Sequence, residues 1–503
     1  MILLISPYQG ILNENIGLQQ ISAFLWNKKI KNKVTYLNVS KNVIEEAKNL
    51  NLNECSMVGV SLYGDNFEFA KTLTQTIKRK KNIPVFYGSQ FATLSYKYIL
   101  ENDPHVDFIV LGQGEYPIWE FVKAYDGYNM AELIEKSPNF ASRHNYQGKK
   151  PYKTPINNLP WPVHDSEIIR KNFFTYLNTT QGCLGNCSFC GSLRNKWSGR
   201  TPKEISDEVL KLYQTYGVQA FSFSDCSIED PGQLGKQRLH EWANHMREIN
   251  IPFAFQAFLR ADSFHKEDKL LLTELKEIGL NQYVIGIEAG NERDLRLYGK
   301  RANLADNIRT LELLKELDIF AFVGFIMVNP FSTFSSLNEN YRFLCKYHGF
   351  FPASFSNQLI LYDNTRFFKM MKDTDQLICL DNHHFDYFIR DEYVQALKQE
   401  FYPLLEISRM SNEMIYLQSD LRLINFLFAL IKDSEKEKEN LRETLYLLKE
   451  LNCQFYRSIY WNQDISFANK TFEEYHKCIN RYCERVRIIK RTMQKHFLST
   501  RAR

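Results

Sequence analysis

The sequence lacks any apolar run long enough to cross a bilayer, and its 503 residues carry a net charge of only +5. A membrane-spanning helix takes about 20 mostly apolar residues, so we expect no membrane segment. The small charge argues against a dedicated nucleic-acid surface, and we expect no nucleic-acid partner. The N-terminus has no basic start and no small-residue cleavage site, as a secretory signal would have. These absences predict a cytoplasmic protein, which we expect to be a monomer.

Cysteine is sparse outside one short stretch. Three of the ten cysteines fall in "CLGNCSFC", at Cys183, Cys187 and Cys190. A structural zinc site takes four ligands and disulfides take cysteines in pairs, so three thiols in one loop favour a metal centre with an open position. In a 4Fe–4S cluster held by three cysteines, one iron stays free to bind another molecule. Zinc would need a fourth ligand from elsewhere in the fold, for which Cys226 is the candidate.

The remaining cysteines occur singly among apolar neighbours or along helical patterns. In the reducing cytoplasm we expect them to be free thiols that fill space in the core. They are Cys55, Cys226, Cys345, Cys379, Cys453, Cys478 and Cys483.

Residues 1–137 alternate short apolar runs with amphipathic stretches. Runs such as "ILLIS" and "MVGVSL" are typical of strands buried on both faces of a sheet. The alternation predicts an α/β domain with a doubly wound, Rossmann-like sheet, whose ligands lie at the carboxyl ends of the strands. The predicted strands are 2–6, 34–39, 57–62, 84–88 and 107–112, and the predicted helices are 17–27, 66–78 and 116–125. A linker rich in Pro, Asn and Lys then covers 138–170.

A second strand–helix series covers residues 171–384. Its predicted strands are 173–180, 218–225, 251–260, 282–290, 321–330 and 353–362, with helices at about 202–216, 267–278, 304–317 and 334–347. Six parallel strands with intervening helices predict a partial (β/α)6 barrel, in which the chemistry occupies the C-terminal ends of the strands. The cysteine loop directly follows the first strand, so its placement and its chemistry agree. Thr201, Pro202 and Glu204 predict the start of the first helix through a capping box and a proline at the first helical position.

The cysteine stretch resembles the CxxxCxxC motif of radical S-adenosylmethionine enzymes, including the aromatic Phe189 before the last cysteine. The resemblance implies that Cys183, Cys187 and Cys190 hold a 4Fe–4S cluster whose open iron binds S-adenosylmethionine. One electron then cleaves the sulfonium and releases a 5′-deoxyadenosyl radical. It also implies an electron donor, such as flavodoxin or ferredoxin.

Three further residues resemble the family's S-adenosylmethionine contacts. Asp225 ends the second strand where relatives often carry an acidic residue, Arg260 closes "FQAFLRAD", and Glu288 lies in "GIEAGNERDLRLYGKR", which is similar to the family's GIESG element. The alternative for Arg260 and Glu288 is a salt bridge at the end of the barrel. The stretch "GFIMVNPFST" is similar to a strand–turn whose sequence in the family is usually G-x-P, and Asn329 replaces that glycine.

The N-terminal domain and the connection "NNLPWPVHD" resemble the cobalamin-dependent class of this family. The resemblance therefore implies cobalamin as a third cofactor, bound at three strand ends. This chain differs from the family at two loops: the family usually has GG-x-H where this chain has "GSQF" at 88–91, and GEGE where this chain has "GQGE" at 112–115. The implied cobalamin contacts are Ser61, Leu62, Tyr63, Asp65, Asn66, Gly88, Ser89, Gln90, Gly112, Gln113, Gly114 and Glu115. No D-x-H-x-x-G loop occurs, so we expect no histidine beneath cobalt.

The resemblance covers about residues 1–370, and residues 385–503 show only helical spacing. We expect this helical C-terminal domain to contribute substrate recognition or a lid over the barrel mouth. The function implied is C-methylation of an unactivated carbon in a peptide or other small-molecule natural product. The alternatives are rearrangement or cyclisation without methyl transfer, and a non-catalytic iron–sulfur or cobalamin-binding protein. A methylthiotransferase would carry three N-terminal cysteines, whereas this chain has only Cys55 there.

Overall fold

A computed structural model describes residues 1–126, 129–144, 151–191, 197–363, 365–380, 385–403 and 410–501. Two parallel sheets follow one another along the chain, and long helices complete it. Within the described residues, no helix is both long enough and apolar enough to cross a membrane.

The first sheet has the strand order β2-β1-β3-β4-β5-β6. Its strands are β1 Ile2–Tyr8, β2 Asn32–Asn38, β3 Met57–Ser61, β4 Val85–Gly88, β5 Phe108–Val110 and β6 Phe140–Ala141. The first five strands are parallel and β6 is antiparallel, so β6 extends the sheet from within the predicted linker. The order changes direction between β1 and β3, and such a switch point leaves a crevice at the carboxyl ends of the strands.

Helices cover both faces of this sheet. They are α1 Ile16–Asn27, α2 Val43–Asn49, α3 Phe67–Lys80, α4 Gln90–Leu94, α5 Tyr96–Asn102, α6 Glu115–Asp126 and α7 Met130–Lys136, with a 3-10 turn at Gly64–Asn66. Two apolar clusters, one on each face of the sheet, bury its strands between them. This part of the predicted fold class is confirmed.

The second sheet is parallel throughout, in the order β13-β12-β11-β10-β7. Its strands are β7 Phe174–Leu177, β10 Ala220–Phe223, β11 Ala254–Leu259, β12 Leu280–Glu288 and β13 Phe320–Phe325, and a small hairpin, β8 Thr180–Gln181 with β9 Ser198–Gly199, follows β7. The helices here are α8 Ser166–Lys171, α9 Pro202–Tyr216, α10 Gly232–Ile249, α11 Lys269–Glu277, α12 Glu292–Leu297, α13 Leu304–Glu316 and α14 Phe334–Tyr347. Further 3-10 turns lie at Ile156–Asn158, Lys266–Asp268 and Pro352–Phe355.

Five of the six strands predicted for the barrel form this sheet. The sixth segment, 353–362, begins in the last 3-10 turn and contributes one isolated parallel bridge, between Val328 and Gln358. Backbone hydrogen bonds tie the segment to the residues after β13: the Met327 amide donates to the Asn357 carbonyl and the Leu359 amide donates to the Val328 carbonyl, both at 2.9 Å. Within the segment, the Phe355 ring is buried. The result is a partial barrel that stays open at this edge.

The start of α9 follows the predicted capping box. The Thr201 hydroxyl accepts a hydrogen bond from the Glu204 amide at 3.2 Å, and the Glu204 carboxylate accepts one from the Thr201 amide at 2.8 Å. Two amides that the first turn leaves unpaired are thereby satisfied. The helix ends at Gly217, whose φ of 73° suits glycine.

The C-terminal part contains α15 Arg366–Lys372, β14 Leu377–Cys379, β15 Phe385–Tyr387, α16 Glu392–Ala396, a π-helical turn Leu397–Phe401, α17 Met410–Leu430, α18 Glu435–Tyr460 and α19 Ile465–Arg501. In α17, Phe426 packs against Ala220 and Ala254, the first residues of β10 and β11. The helix therefore closes the N-terminal end of the barrel. The expectation of a lid over the mouth is wrong for α17, because its apolar face covers the opposite end.

A disulfide joins Cys345 in α14 to Cys453 in α18, with 5.6 Å between their Cα atoms. The expectation that both are free thiols is therefore wrong. The two positions lie 108 residues apart, and the spacing of single cysteines does not reveal such a pairing.

Candidate functional site

The cysteine loop follows the carboxyl end of β7 and connects β8 to β9. Its backbone is held on three sides. The Leu184 amide donates to the Asp230 carboxylate at 2.9 Å, and the Ser188 amide donates to the carbonyl of Tyr298 at 2.7 Å. The Ser188 carbonyl in turn accepts a hydrogen bond from the Phe367 amide at 2.9 Å. Barrel residues thus fix the loop that carries the three thiols.

The thiols suit an iron–sulfur cluster better than a single ion. Among the described residues, no group of three or more His, Cys, Asp or Glu converges as ligands of one metal ion do. The Gly185 amide donates to the Cys183 sulfur at 3.2 Å, a contact that stabilises thiolate character. The donor set of three soft thiolates fits a 4Fe–4S cluster, which the Cys183, Cys187 and Cys190 side chains would hold.

Burial raises the pKa of both Cys183 and Cys187. For Cys187, Lys300 lowers the pKa, while Glu288, Cys190 and Cys183 raise it. Because metal ligation needs thiolates, binding of a cluster would release protons from this loop.

Asp225 is buried directly beneath the loop. Its Oδ1 accepts hydrogen bonds from the Thr179 amide at 2.6 Å and the Thr180 amide at 2.8 Å, and its Oδ2 accepts one from the Thr179 hydroxyl. Burial raises the pKa of Asp225, while these donors and Arg238 lower it. Both carboxylate oxygens are thus engaged by the segment that leads into the cysteine loop. The hydrogen bonds of Asp225 make it a residue that positions the cysteine loop. A direct contact between Asp225 and S-adenosylmethionine stays a prediction.

Arg260 lies beside the loop within a group of carboxylates. Its guanidinium pairs closely with Asp230, and its Nε lies 3.0 Å from Asp262. Burial lowers the pKa of Arg260, but the negative charges of Glu229, Asp230 and Asp262 outweigh that effect and raise it. The geometry matches the salt-bridge alternative. Since Asp230 also holds the Leu184 amide, Arg260 is linked to the cysteine loop through one carboxylate.

Glu288 ends β12 at a register shift in the pairing with β13, and its φ is 66°. An irregularity of this kind re-aims a side chain at the end of a strand. Lys300 lies 3.7 Å from the Glu288 carboxylate and donates to the Gly286 carbonyl at 2.7 Å. Burial raises the pKa of Glu288 and Lys300 lowers it. Lys300 was not among the predicted site residues, although it lies in the element "LYGKR".

Phe189 packs edge-on against Tyr298, with ring centroids 5.5 Å apart. The Tyr298 hydroxyl accepts a hydrogen bond from the Asn329 side chain at 3.0 Å. Asn329 also shapes its own turn, because its side-chain oxygen accepts from the Phe331 amide at 2.8 Å. The replacement of the family's glycine by Asn329 therefore supplies a polar support for the cysteine loop.

The predicted cobalamin contacts gather at the carboxyl edge of the first sheet. At the switch point, the Asn15 side chain donates to the hydroxyls of Ser6 and Ser61, both at 3.1 Å, and to that of Tyr63 at 3.5 Å. The Tyr63 amide donates to the Asn66 side chain at 2.8 Å, and Asp65 is exposed in the same turn.

Ser89 occupies the second glycine position of the loop after β4. Its φ is 136°, a region that residues with a side chain rarely adopt. The hydroxyl donates to the Leu62 carbonyl and accepts from the Ala92 amide at 3.3 Å, so it joins two strand ends and caps α4. Gly88 precedes it at the end of β4. The departure from the family's GG is thus accommodated by hydrogen bonds of the serine itself.

The loop after β5 completes this edge. Gly112 has a φ of 76°, which favours glycine. A Cβ on Gly114 would lie 2.7 Å from the Cδ1 atom of Ile21, so the Ile21 side chain would have to shift. Glu115 is buried at the start of α6, and burial raises its pKa to about 7.

The two sheets meet at their carboxyl edges. The Gln113 side chain donates to the Gln181 side chain at 2.8 Å, and Gln181 lies two residues before Cys183. A Cβ on Gly191 would lie 3.1 Å from Leu94 and 3.2 Å from the Gln90 amide. Residues from the predicted cobalamin loops therefore touch both ends of the cysteine loop.

Two family models match the chain. One is the radical SAM superfamily, over residues 177–344, and the other is the B12 binding domain, over residues 11–122. The matches agree with the predicted cofactors: a 4Fe–4S cluster and S-adenosylmethionine for the first domain, and cobalamin for the second.

Curated relatives match mainly over these domains. An anaerobic magnesium-protoporphyrin IX monomethyl ester cyclase of Cereibacter sphaeroides is 28% identical over 268 residues, which cover 51% of this chain and 43% of the relative. An uncharacterized methyltransferase of Pyrococcus horikoshii is 23% identical over 300 residues, covering 58% of this chain and 64% of the relative. The chain spans about half the length of the curated relatives it matches.

Solved structures extend the likeness in fold. The cobalamin-dependent S-adenosylmethionine radical enzyme OxsB matches with a TM-score of 0.73 at 16% identity, over 99% of this chain and 80% of OxsB. The radical S-adenosylmethionine methyltransferase TsrM from Kitasatospora setae matches with a TM-score of 0.60 at 15% identity, over 76% of this chain and 81% of TsrM. The chain therefore combines a B12-binding domain with a radical SAM domain, in the fold of the cobalamin-dependent radical SAM enzymes.

Proposed function

We propose that the protein is a cobalamin-dependent radical SAM C-methyltransferase that acts on an unactivated carbon of a peptide or other small-molecule natural product. The observation that carries the proposal is the meeting of two carboxyl edges, where Gln113 joins Gln181 and Gln90 lies against Gly191. A cobalamin on the first edge would face a cluster on the second, with the substrate between them. We keep the division into 1–137, 138–170, 171–384 and 385–503 as part of this proposal.

In this proposal the cofactors supply the radical and the methyl group, and the chain supplies binding, orientation and exclusion of water. Cys183, Cys187 and Cys190 would hold the cluster, and Glu288 with Lys300 would meet the S-adenosylmethionine. Arg260 would keep Asp230 in place behind Leu184. The loops that follow β1, β3, β4 and β5, at 9–15, 62–66, 89 and 111–114, contain no histidine. We therefore propose that cobalamin lies on the ends of these strands with no histidine coordinating its lower face.

A second candidate is ring formation or rearrangement without methyl transfer. The cyclase relative of Cereibacter sphaeroides favours it, since that protein is more identical to this chain than the Pyrococcus methyltransferase is. A methylthiotransferase is disfavoured, because Cys55 is buried and comes just before β3, away from the carboxyl edge.

The first experiment tests the cluster. The anaerobically reconstituted protein should bind iron and sulfide and release 5′-deoxyadenosine when reduced with dithionite in the presence of S-adenosylmethionine. Replacing any of Cys183, Cys187 or Cys190 by Ala should abolish release, because all three thiolates are needed to leave one iron open. Cys226→Ala is the matched control and should keep both cluster and release. Loss of metal in that control would instead favour the zinc alternative.

The second experiment separates the two candidate reactions and needs a substrate, which a library of peptides from neighbouring genes can provide. Methylation adds one methyl group to the product and consumes two S-adenosylmethionine molecules, one giving S-adenosylhomocysteine and one giving 5′-deoxyadenosine. A product without added mass, formed with 5′-deoxyadenosine alone, would replace the methyltransferase proposal by the rearrangement. Turnover by flavodoxin or ferredoxin in place of dithionite would identify the electron donor and support a cytoplasmic setting.

A further inference from the structure

The linker between the two sheets makes hydrogen bonds to both of them. Its middle part, residues 156–165, reads "INNLPWPVHD" and contains Pro160 and Pro162. Each proline ring fixes one backbone φ at about −65°, so this stretch is stiffer than an ordinary linker. We call residues 156–165 the strap. Neither family match covers the strap, because one ends at residue 122 and the other begins at residue 177.

Arg200 anchors the strap to the barrel. Its buried guanidinium donates to the carbonyls of Leu159 at 3.0 Å and Pro160 at 2.9 Å. Its Cζ atom also lies 3.9 Å from the ring centroid of Trp161, and a planar guanidinium suits both contacts. The Arg200 amide donates to the carbonyl of Thr179, at 2.9 Å, just before the cysteine loop. The strap is therefore fixed to the base of the cysteine loop.

Glu14 anchors the strap to the first sheet. It lies in the loop after β1, and only 3% of its side chain is exposed. In the strap, Nδ1 of His164 lies 2.8 Å from the Glu14 carboxylate, and the Asp165 amide donates to it at 2.6 Å. The hydroxyl of Thr175, in β7, donates to the same carboxylate at 3.3 Å. One buried carboxylate thus joins the first sheet, the strap and the barrel.

The His164 ring is as buried as the Glu14 carboxylate. Its Nε2 atom has no hydrogen-bond partner among the described residues. A ring that carries its proton at Nδ1 donates to Glu14 and leaves no buried N–H group unpaired. Removal of either partner leaves the other buried without its hydrogen bond, which costs more than the loss of a surface pair. The pair therefore favours one arrangement of the two segments.

The residue after Glu14 lies at the predicted cobalamin site. The Asn15 side chain donates to the hydroxyls of Ser6 and Ser61, both at 3.1 Å, and so connects β1 to β3 at the switch point. Because Glu14 and Asn15 are neighbours in the chain, the contact of Glu14 with the barrel helps to place Asn15. A continuous series of contacts therefore leads from the base of the cysteine loop, through Arg200 and the strap, to the switch point.

We propose that Glu14, His164 and Arg200 are positioning residues that set the separation of the cobalamin and the 4Fe–4S cluster. They hold the strap between the loop after β1 and the base of the cysteine loop. Group transfer needs reacting atoms about 3–3.5 Å apart, so a small change in this separation affects turnover. The inference rests on the cofactor places of the proposed function, and not on which reaction follows.

Pulsed paramagnetic resonance on the full-length protein tests the strap before any cofactor is added. Nitroxides on introduced keto amino acids at Glu45 in α2 and Gln214 in α9, both exposed, report one distance between the two domains. We expect a single narrow distance distribution for the wild type. His164→Ala should broaden it, because the Glu14 carboxylate loses a partner. His164→Asn should keep it narrow, since its amide group takes the place of the Nδ1–H donor.

Further variants test the two anchors. Glu14→Ala should broaden the distribution, and so should Arg200→Lys, because an ammonium group does not reproduce the planar guanidinium fork. Glu167→Ala is the matched control for Glu14→Ala: this exposed glutamate in α8 lies 3.7 Å from Lys171, and its loss should leave the distribution narrow. Melting temperatures identify the folded variants. A narrow, unshifted distribution in folded His164→Ala and Arg200→Lys would overturn the inference.

The loaded protein connects the strap to the cofactors. Cob(II)alamin and the reduced cluster are both paramagnetic, so their magnetic coupling reports their separation. This coupling should be weakened in His164→Ala and kept in His164→Asn, with corrinoid and iron content equal to the wild type in both. Unchanged coupling in His164→Ala would overturn the inference alone. A wild type that binds no corrinoid would contradict the proposed function, and the nitroxide distances would still decide whether the strap positions the domains.

Discussion

Asp225 allows the sharpest test of how the cysteine loop is held. Its Oδ1 accepts both the Thr179 and the Thr180 amides, and its Oδ2 accepts the Thr179 hydroxyl. Asp225→Asn keeps an oxygen for both amides, and its new amide group can donate to the hydroxyl, which is able to accept. Asp225→Ala leaves all three donors in a buried place without an acceptor.

The two substitutions should therefore differ strongly. Each buried amide left unsatisfied costs about 1–3 kcal/mol, so Asp225→Ala should destabilise the segment before the cysteine loop by about 2–6 kcal/mol. Asp225→Asn loses only charge assistance, which is worth about 1 kcal/mol for each of the two amides and is partly offset because a neutral side chain costs less to bury. We expect the alanine variant to bind less iron and sulfide after reconstitution and the asparagine variant to match the wild type.

The assay pairs cluster content with affinity for S-adenosylmethionine. If Asp225 only positions the loop, Asp225→Asn keeps both quantities near the wild-type values. If it contacts S-adenosylmethionine directly, as the resemblance implies, the asparagine variant keeps its cluster and binds S-adenosylmethionine more weakly. A full cluster in Asp225→Ala would refute the positioning argument altogether.

Three further predictions concern other parts of the chain. At Ser89, the unusual φ costs about 1–3 kcal/mol, and the helix cap that its hydroxyl provides contributes about 1 kcal/mol. In urea unfolding, Ser89→Ala should therefore be about 1 kcal/mol less stable than the wild type, whereas Ser89→Gly should be at least as stable as the wild type. The opposite order of the two variants would contradict the backbone strain at Ser89. Burial raises the pKa of Glu115 from 4.5 to about 7, so the folded state holds this proton more tightly than the unfolded state and stability falls as pH rises through that window. The loss in the free energy of unfolding is about 3 kcal/mol. In Glu115→Gln, this fall of the free energy of unfolding with pH should vanish, and an unchanged pH dependence would show that other groups cause it. Alkylation of the denatured, unreduced protein should leave the sulfurs of Cys345 and Cys453 unmodified, and the variant with Ser at both positions should lose about 2–4 kcal/mol of stability. Alkylation of both cysteines without a reductant would contradict the disulfide.

The sequence was informative wherever structure depends on neighbours along the chain. The capping box of Thr201 and Glu204, the strands of the first sheet and the loop of three cysteines are all local patterns, and the structure contains each of them. The partners of Arg260 and the pairing of Cys345 with Cys453 depend on approaches between distant segments. One chain without aligned relatives carries no signal of such contacts.

The placement of α17 follows from the same limit. Its helical spacing was visible in the sequence, but spacing does not say which surface a helix will cover. A partial barrel has two ends, and the mouth is already occupied by the cysteine loop and by the edge of the first sheet, through Gln113 and Gln90. The small side chains of Ala220 and Ala254 leave room at the opposite end, and Phe426 packs there. Through this contact α17 stabilises the barrel from the far end, while a part for the C-terminal helices in recognising the substrate stays a prediction.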